Sequence, residues 1–358
     1  MGEAMITLAE LAREYRLPLI QAYGHLMRPE HHFALRALID CRTPAYGEMT
    51  YCCDPCQQRQ VYPHSCGHRF CPKCQHQTNS QWLARQQQKL LPVNYFMVTF
   101  TLPYEIRSWV WHHQRLVYAA LFETTVETLN TFASNDKKLL GKLGITAVLH
   151  THNRLLDFHP HLHLVVPASS FHKKTLSLHT KIGDYLFNEF NLAKVFRAKF
   201  LKALKQKGIQ CPDSLPKKWV AQCQLVGSGE PALKYLARYL YRGVINESNI
   251  IRHEQGEVSF QYKESKTNTW KTRTEPGMQF LWLVLQHVLP KGFRRARDYG
   301  FLHCLAKHTL QRIQLLLKAS LGTLKPVSRK PHLCPCCGNP MNFILFSRQP
   351  ERGAWRTI

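Results

Sequence analysis

The sequence predicts an α+β fold in which an antiparallel sheet is flanked by helices and preceded by a helical, cysteine-rich module. Three observations predict it. Segments with strand character alternate with helical patterns, but without a strict β-α-β period, which favours α+β over a doubly wound sheet. Two strand-like segments, 144–152 and 161–166, are joined by a turn-rich link, Asn153 to Pro160, of the kind that closes an antiparallel hairpin. A Gly- and Pro-punctuated block carrying most of the cysteines runs from Cys41 to about His76, between helical patterns.

Taken in order, residues 6–17 place Leu8, Leu11 and Tyr15 at helical spacing, and Pro18 is expected to end or kink that helix. Residues 19–28 and 30–40 continue as helices, and helical pattern resumes near 79–90. Val93 to Leu102 reads as a buried strand stopped by Pro103. Residues 105–133 form one long helix or two. Beyond the hairpin, residues 179–208 read as basic and helical, and Val220 to Val226 as a strand. Glu230 to Arg242 follows as a helix after the Gly227-Ser228-Gly229 turn. The expected division is 1–92 for the N-terminal helices and cysteine module, 93–303 for the central domain, and 304–358 for a basic tail.

At 358 residues with 44% apolar side chains the chain can bury a sizeable core. Lys and Arg number 48 against 23 Asp and Glu, a formal charge of +25. A field of that sign attracts polyanions, and nucleic acid is the first candidate. No segment approaches the roughly 18 to 20 apolar residues of a membrane span; Phe280 to Leu285 is stopped by Gln286 and His287. Acids near the N-terminus, where a signal peptide would be basic and then apolar, argue against export. Thirteen cysteines in a reducing compartment then point to metal, since disulfides are rare there.

Cys53-x-x-Cys56 and Cys71-x-x-Cys74, with 14 residues between them, match paired knuckles that each offer two thiolates from one tight turn. Random placement would give about half a C-x-x-C pair, and the chain has three. These four cysteines are expected to close one structural zinc site. Cys41, Cys52, Cys66, His64 and His68 are surplus; Cys66 could replace a ligand or help form a second site. Cys334 and Cys337 form half a knuckle whose partners could be Cys336 and His332, a remote pair, or none.

The stretch Asp157-Phe158-His159-Pro160-His161-Leu162-His163 carries a His-x-His pair, and about one such match is expected by chance among 20 histidines. Its placement raises its weight. On a strand, His161 and His163 project from one face while Leu162 and Leu164 pack on the other. The partner strand brings His150 or His152 within about 5 Å. Three imidazoles would then converge with positions left open, although strand histidines bonded to backbone remain the alternative. Downstream, Tyr235 and Tyr239 share a helix face at i and i+4, as do Arg238 and Arg242 on an adjacent face. That pattern fits either a packed stripe or phenols poised beside guanidiniums for attack on phosphate.

In this order, the cysteine knuckles, the strand His150-Thr151, the His159-Pro160-His161-Leu162-His163 motif and the helix Tyr235-Leu236-Ala237-Arg238-Tyr239 resemble rolling-circle transposases of the insertion-sequence-ninety-one type. These are members of the HUH (His-hydrophobe-His) superfamily of single-strand endonucleases. The resemblance extends through Cys41-Arg42-Thr43, the stretch Ser65 to Cys74, His287 to Phe293 and Arg297-Asp298-Tyr299-Gly300, and so covers roughly 40–345. It implies an HUH core with an N-terminal zinc-binding domain, and His161, His163 and His150 as ligands of a catalytic Mg2+ or Mn2+, with His152 ranked below His150. Tyr235 and Tyr239 are the implied nucleophiles on single-stranded element ends and target DNA, in the bacterial cytoplasm and at the nucleoid during action. Arg238, Arg242, Arg294, Arg295 and Arg297 are expected on the DNA backbone, as is the basic helix with Arg197, Lys199, Lys202, Lys205 and Lys207. Tyr241, Gly243 and Gln57 depart from what relatives carry there. The competing readings are a plasmid relaxase or rolling-circle replication initiator, and a non-catalytic zinc-containing DNA-binding regulator.

Overall fold

The computed structural model describes residues 5–74, 76–212, 215–241, 244–264, 267–319 and 331–347, apart from the side chains at 76–79, 238, 239 and 241. The chain forms two compact units, and neither is contiguous. One comprises Met1–Thr78, Tyr241–Val288 and Pro326–Ile358; the other comprises Asn79–Leu240 and Leu289–Lys325. The contiguous division expected from the sequence differs from this because one helix and the strand Asn342–Ser347, which pairs with Glu48–Cys52, belong to the first unit. Gly277–Leu285 buries Phe280, Leu281, Val284 and Leu285 completely, and it packs on the helices Leu8–Tyr23 and Pro29–Asp40 of the same unit. Trp282 stacks on Tyr23 at 5.1 Å between centroids. A Cβ at Gly277 would lie 2.1 Å from the Tyr15 ring, so only glycine permits this approach.

Pro18 does not end the first helix, which runs on to Tyr23. Leu8, Leu11, Ala12, Tyr15 and Leu19 are all buried at helical spacing across it. Their combined burial, about 2 kcal/mol for each large apolar side chain, outweighs the roughly 3 kcal/mol that an interior proline costs. The helix opens on a capping box in which Thr7 and Glu10 satisfy each other's backbone N–H. Two further features of this unit are not foreseen from the sequence. One is an antiparallel meander of Ile250–Glu254, Glu257–Lys263 and Trp270–Pro276. The other is a ribbon in which Glu48–Cys52 lies between Arg59–Pro63 and the distant strand Asn342–Ser347.

The second unit is built on a five-stranded antiparallel sheet. Its strands are β1 (Tyr95–Thr101), β2 (Ile145–His152), β3 (Phe158–Pro167), β4 (Val220–Leu225) and β5 (Ala296–Tyr299), in the order β5-β2-β3-β1-β4. The expected β2–β3 hairpin is present, and β3 lies between β1 and β2. Period-two alternation sends Phe96, Val98, Phe100, Ile145, Ala147, Leu149, Leu162, Leu164 and Val166 to one face, where they are essentially fully buried. Two helices cover that face, α1 (Gln114–Asn135) and α2 (Glu189–Gln206); Phe100 meets Phe196 at 4.8 Å. The stretch 179–208 is therefore only partly helical. Ser177–Thr180 is a strand, and α2 starts where the Asn188 side chain accepts the Asn191 N–H.

This arrangement fixes the register that positions the site. A one-residue slip of β3 would turn Leu162, Leu164 and Val166 outward and drive His161 and His163 into the core. Losing that apolar burial alone costs about 6 kcal/mol at roughly 2 kcal/mol per side chain. The opposite face is consequently left to Thr99, Thr146, Val148, His150, His161 and His163, and a third helix, α3 (Glu230–Tyr241), lies by it.

Candidate active site

His150 on β2 pairs directly with His161 on β3, and Val148 pairs with His163, so the three histidines share the polar face of two adjacent strands. A bulge after His150 shifts the register, and His152 then sits opposite Phe158. One ring nitrogen from each of His150, His161 and His163 lies within 4.8 Å of the others. His152 is outside this group; its Nδ1–H donates to the Asn153 carbonyl at 3.1 Å. Below the bulge, Asn153 Oδ1 accepts the N–H groups of Leu155 and Asp157, which closes the hairpin loop.

The ring orientations are set by neighbours. His161 Nδ1 lies 2.6 Å from the carbonyl oxygen of His159, which can only accept, so the proton resides on Nδ1 and the Nε2 lone pair is left for a ligand. His163 Nδ1 is hydrogen-bonded to Thr99 Oγ1 at 3.0 Å from β1, with the same effect when the imidazole donates. Arg107 donates to the ring of His159, holding the segment that supplies this carbonyl. Thr99 and Arg107 are not singled out by the sequence. Thr99 could have been found only by knowing that β1 pairs with β3 in the register Thr99–His163.

Burial is the main cause that keeps the imidazoles neutral. It holds His150 well below its ordinary value, brings His161 to about 4, and brings His163 to about 3, with the neighbouring imidazoles adding for His150 and His163. Three neutral imidazole nitrogens converging on one point, with Nδ1 of His161 committed to a carbonyl, are a donor set that could hold a divalent ion.

Beside them, Tyr235 of α3 is about a third exposed, and its ring centroid lies 5.8 Å from His163 and 6.4 Å from His150. Leu233, Leu236, Ala237 and Leu240 anchor the helix by burial. Tyr239 follows one turn later on the same helix, but its side chain and that of Arg238 lie outside the described residues, as does Arg242 entirely. Arg295 approaches from the segment before β5, where its positive charge helps lower His150 and its carbonyl accepts the Leu149 N–H. Arg294 is exposed, and the Arg297 guanidinium lies 4.2 Å from the Phe122 ring centroid. Of the basic residues on and just after α2, Lys199 pairs with Glu127 and Lys207 with Glu123 on α1, while Arg197 donates to the Pro216 carbonyl. Those three hold helices and loop together, while Lys202 and Lys205 of the same basic stretch are exposed.

The cysteines correct the expected four-thiolate set. Cys53 and Cys56 do not meet Cys71 and Cys74; each pair closes with other partners. Cys41, Cys66, Cys71 and Cys74 form one group, with Cys41 and Cys66 sulfurs 3.4 and 3.5 Å from that of Cys74. Cys53, Cys56, Cys334 and Cys337 form the other, with Cys53–Cys337 and Cys56–Cys334 both at 3.4 Å. The physical reason is the ribbon, because pairing of Asn342–Ser347 with Glu48–Cys52 carries the remote knuckle to Cys53. The two knuckles repeat one backbone pattern. Gln57 N–H donates to Cys53 O and Cys53 N–H to Gln58 O; likewise Gly338 donates to Cys334 and Cys334 to Asn339. Gln57 and Gly338 both take left-handed backbone, φ 57° and 71°. In the first group the Cys71 thiol is pulled down to about 5, chiefly by its bond with Cys66, so one thiolate is already favoured. Each group fits a closed tetrahedral zinc site with no open position.

Two family models match the chain. One, described as "Transposase zinc-binding domain", matches residues 11–102; the other, described as "Putative transposase", matches residues 144–309. The chain is 33% identical over 314 residues to the protein named "Putative transposase y4qJ" of Sinorhizobium fredii, covering 79% of each. It is 27% identical over 291 residues to the transposase for insertion sequence element IS801 of Pseudomonas savastanoi pv. phaseolicola, covering 74% of this chain and 68% of the relative. No solved structure matches it. No helix among the described residues is long and apolar enough to cross a membrane.

Proposed function

The chain belongs to the transposases of the insertion-sequence-ninety-one type with an N-terminal zinc-binding domain, and from that premise we propose that it nicks and rejoins single-stranded DNA at element ends by tyrosine transesterification, driving rolling-circle transposition. The observation that carries this reading is the placement of the Tyr235 ring 5.8 Å from His163 and 6.4 Å from His150, beside a converging histidine triple on the sheet face.

His150, His161 and His163 would hold a divalent ion, which supplies Lewis-acid polarisation of the scissile phosphate when bound. Three imidazoles favour zinc, copper or nickel by ligand softness; magnesium or manganese rests on the family resemblance. The Tyr235 phenolic oxygen attacks phosphorus, one P–O bond forms to the tyrosine, and the bond to the 3′ oxygen breaks. The phenolic proton is formally transferred to the leaving oxygen, giving a 5′-phosphotyrosine and a free 3′-hydroxyl. Because one phosphodiester replaces another, the reverse step can rejoin strands without an added energy source. Tyr239, one turn along α3, is positioned in the chain to accept a second strand before the first link is resolved. Arg294, Arg295 and Arg297, with Arg238 and Arg242 of the tyrosine helix, neutralise backbone phosphates. The two four-cysteine groups hold structural zinc and maintain the unit that carries them.

Incubating the full chain with a single-stranded element-end oligonucleotide and Mn2+ should give a protein–DNA adduct stable in SDS. Loss of that adduct in a Tyr235→Phe, Tyr239→Phe double variant is the expected result. No adduct from the unaltered chain, or one that survives the double substitution, overturns the catalytic reading and leaves the non-catalytic DNA-binding regulator.

A further inference from the structure

A groove runs along the outer edge of the five-stranded sheet, on the side opposite β4. Its walls are the helix His76–Gln87 with the residues just after it, the edge strand β5, and the helix Lys307–Leu316, and it encloses about 1000 Å³. Five cations line it: Arg85, Lys89, Arg294, Arg297 and Lys307. The lining holds one carboxylate, Asp298, and that charge is already used. Asp298 accepts from Lys89 at 2.6 Å, Gln86 at 3.0 Å and Thr146 at 2.8 Å, tying the helix to the sheet edge. Arg85, Arg294, Arg297 and Lys307 therefore face the groove without an acidic partner among the described residues. Such a concentration of like charge in a concave space is unfavourable in isolation and is relieved by an anion.

The groove also has a defined distance from the histidines. Ala296 on its wall pairs with Val148, and Val148 pairs with His163, so the three lie in one row across the sheet. Two strand spacings of about 4.8 Å put the wall about 10 Å from His163. The backbone pairing continues from there toward His150 through the Leu149 N–H and the Arg295 carbonyl. A strand whose reacting phosphate sits at the histidines can thus lay its neighbouring nucleotides in the groove.

We infer that this groove binds the single-stranded DNA flanking the scissile phosphate, with Arg85 and Lys307 as backbone contacts beside Arg294 and Arg297. The inference rests on the proposed DNA-nicking function for its biological role, but binding in the groove needs no cleavage. Concavity selects the single strand, since a duplex carries its phosphates on a convex surface and would meet only the rim. Tyr299, half-buried in the lining, adds aromatic surface of the kind on which exposed bases rest. Arg297 is preordered by the Phe122 and Phe293 rings, with centroids 4.2 and 4.8 Å away, so little side-chain freedom remains to be lost on binding.

The groove contains its own reporter. Cys304 lines it and is exposed, whereas Cys336 is exposed and lies elsewhere. With a 20-nucleotide oligo-dT and no added divalent ion, alkylation of Cys304, mapped by mass spectrometry, should slow at least several-fold while that of Cys336 is unchanged. In fluorescence titrations over a range of salt, an Arg85→Ala, Lys307→Ala variant should reduce the log–log salt slope by about 1.4, at roughly 0.7 per cation for single strands. An Arg85→Lys, Lys307→Arg variant should restore the slope, which separates charge from folding. Unchanged alkylation of Cys304 at saturating oligonucleotide, equal protection by the oligo-dT annealed to oligo-dA, or an unaltered salt slope overturns the inference. Protection without any SDS-stable adduct in the parallel cleavage assay would retain the groove and remove the catalytic reading.

Discussion

Cys53 and Cys337 are 284 positions apart in the chain, and their sulfurs are 3.4 Å apart in the fold. The contact joins the two ends of the sequence through a shared knuckle geometry, and it makes the C-terminal strand part of the cysteine module. It also alters the expected metal count, because the thiolates sort into two complete sets of four.

Metal analysis of the purified chain should therefore give two zinc ions per molecule. Cys337→Ser should lower this to one and loosen the Glu48–Cys52 ribbon, whereas Cys336→Ser, outside both sets, should leave it at two. Cys66→Ser should also remove one. A single zinc in the unaltered chain, or a full complement after Cys337→Ser, would contradict the two-site arrangement. Because a structural zinc site contributes directly to folding free energy, the depleted variants should also melt at lower temperature.

Thr99 lies on a different strand from all three histidines, yet its hydroxyl meets His163 Nδ1. A Thr99→Val substitution keeps the β-branched shape and removes the bond, so the ring loses its orienting partner. Divalent-ion affinity, followed by titration with Mn2+, should fall about 10- to 100-fold, the usual effect of losing an outer partner of a metal-bound histidine. His161→Ala should abolish binding at this site. Equal affinity in the Thr99→Val protein would show that packing alone orients His163.

Much of this site was legible in the sequence, and what was not has identifiable causes. His161 and His163 could be placed on one face because strand periodicity is local, and His150 followed from a hairpin whose turn is also local. Thr99, Arg107 and the Cys53–Cys337 contact depend on pairings between strands or loops far apart in the chain, for which neither residue type nor spacing carries a signal. The helix Gly277–Leu285 shows a related limit. Its apolar run is plain, but which unit buries it is decided by complementary surfaces such as Tyr15 against Gly277.

Gly300 offers a test of how tightly the sheet edge is built. It has φ 61°, and a Cβ there would lie 1.8 Å from the Leu143 carbonyl oxygen, a backbone atom that cannot swing aside. Gly300→Ala combines left-handed strain with a backbone clash and should destabilise the protein by more than about 3 kcal/mol. Denaturant unfolding should register this as a fall in midpoint, or the variant should fail to accumulate as folded protein. A change below about 1 kcal/mol would show that the turn after β5 can relax.

Acid should act on this protein through the same histidines. Folding lowers His161 to about 4 and His163 to about 3, mainly by burial, from an ordinary value of 6.5. Between pH 6.5 and those values the unfolded chain binds protons that the folded metal-free chain does not. Stability from these groups is therefore fully present above about pH 6.5 and is lost progressively as pH falls toward 4 and 3, by roughly 3 kcal/mol for His161 and roughly 5 kcal/mol for His163. A His150→Gln, His161→Gln, His163→Gln variant keeps both cysteine sets and should show a shallower decline in melting temperature over that window. In the folded chain protons compete poorly for the same nitrogens, so Mn2+ affinity should stay nearly constant from pH 7 to 5, where three exposed histidines would already have lost most of theirs. A steep loss of Mn2+ binding centred near pH 6.5 would mean that water reaches the triple freely and that burial does not keep these imidazoles neutral.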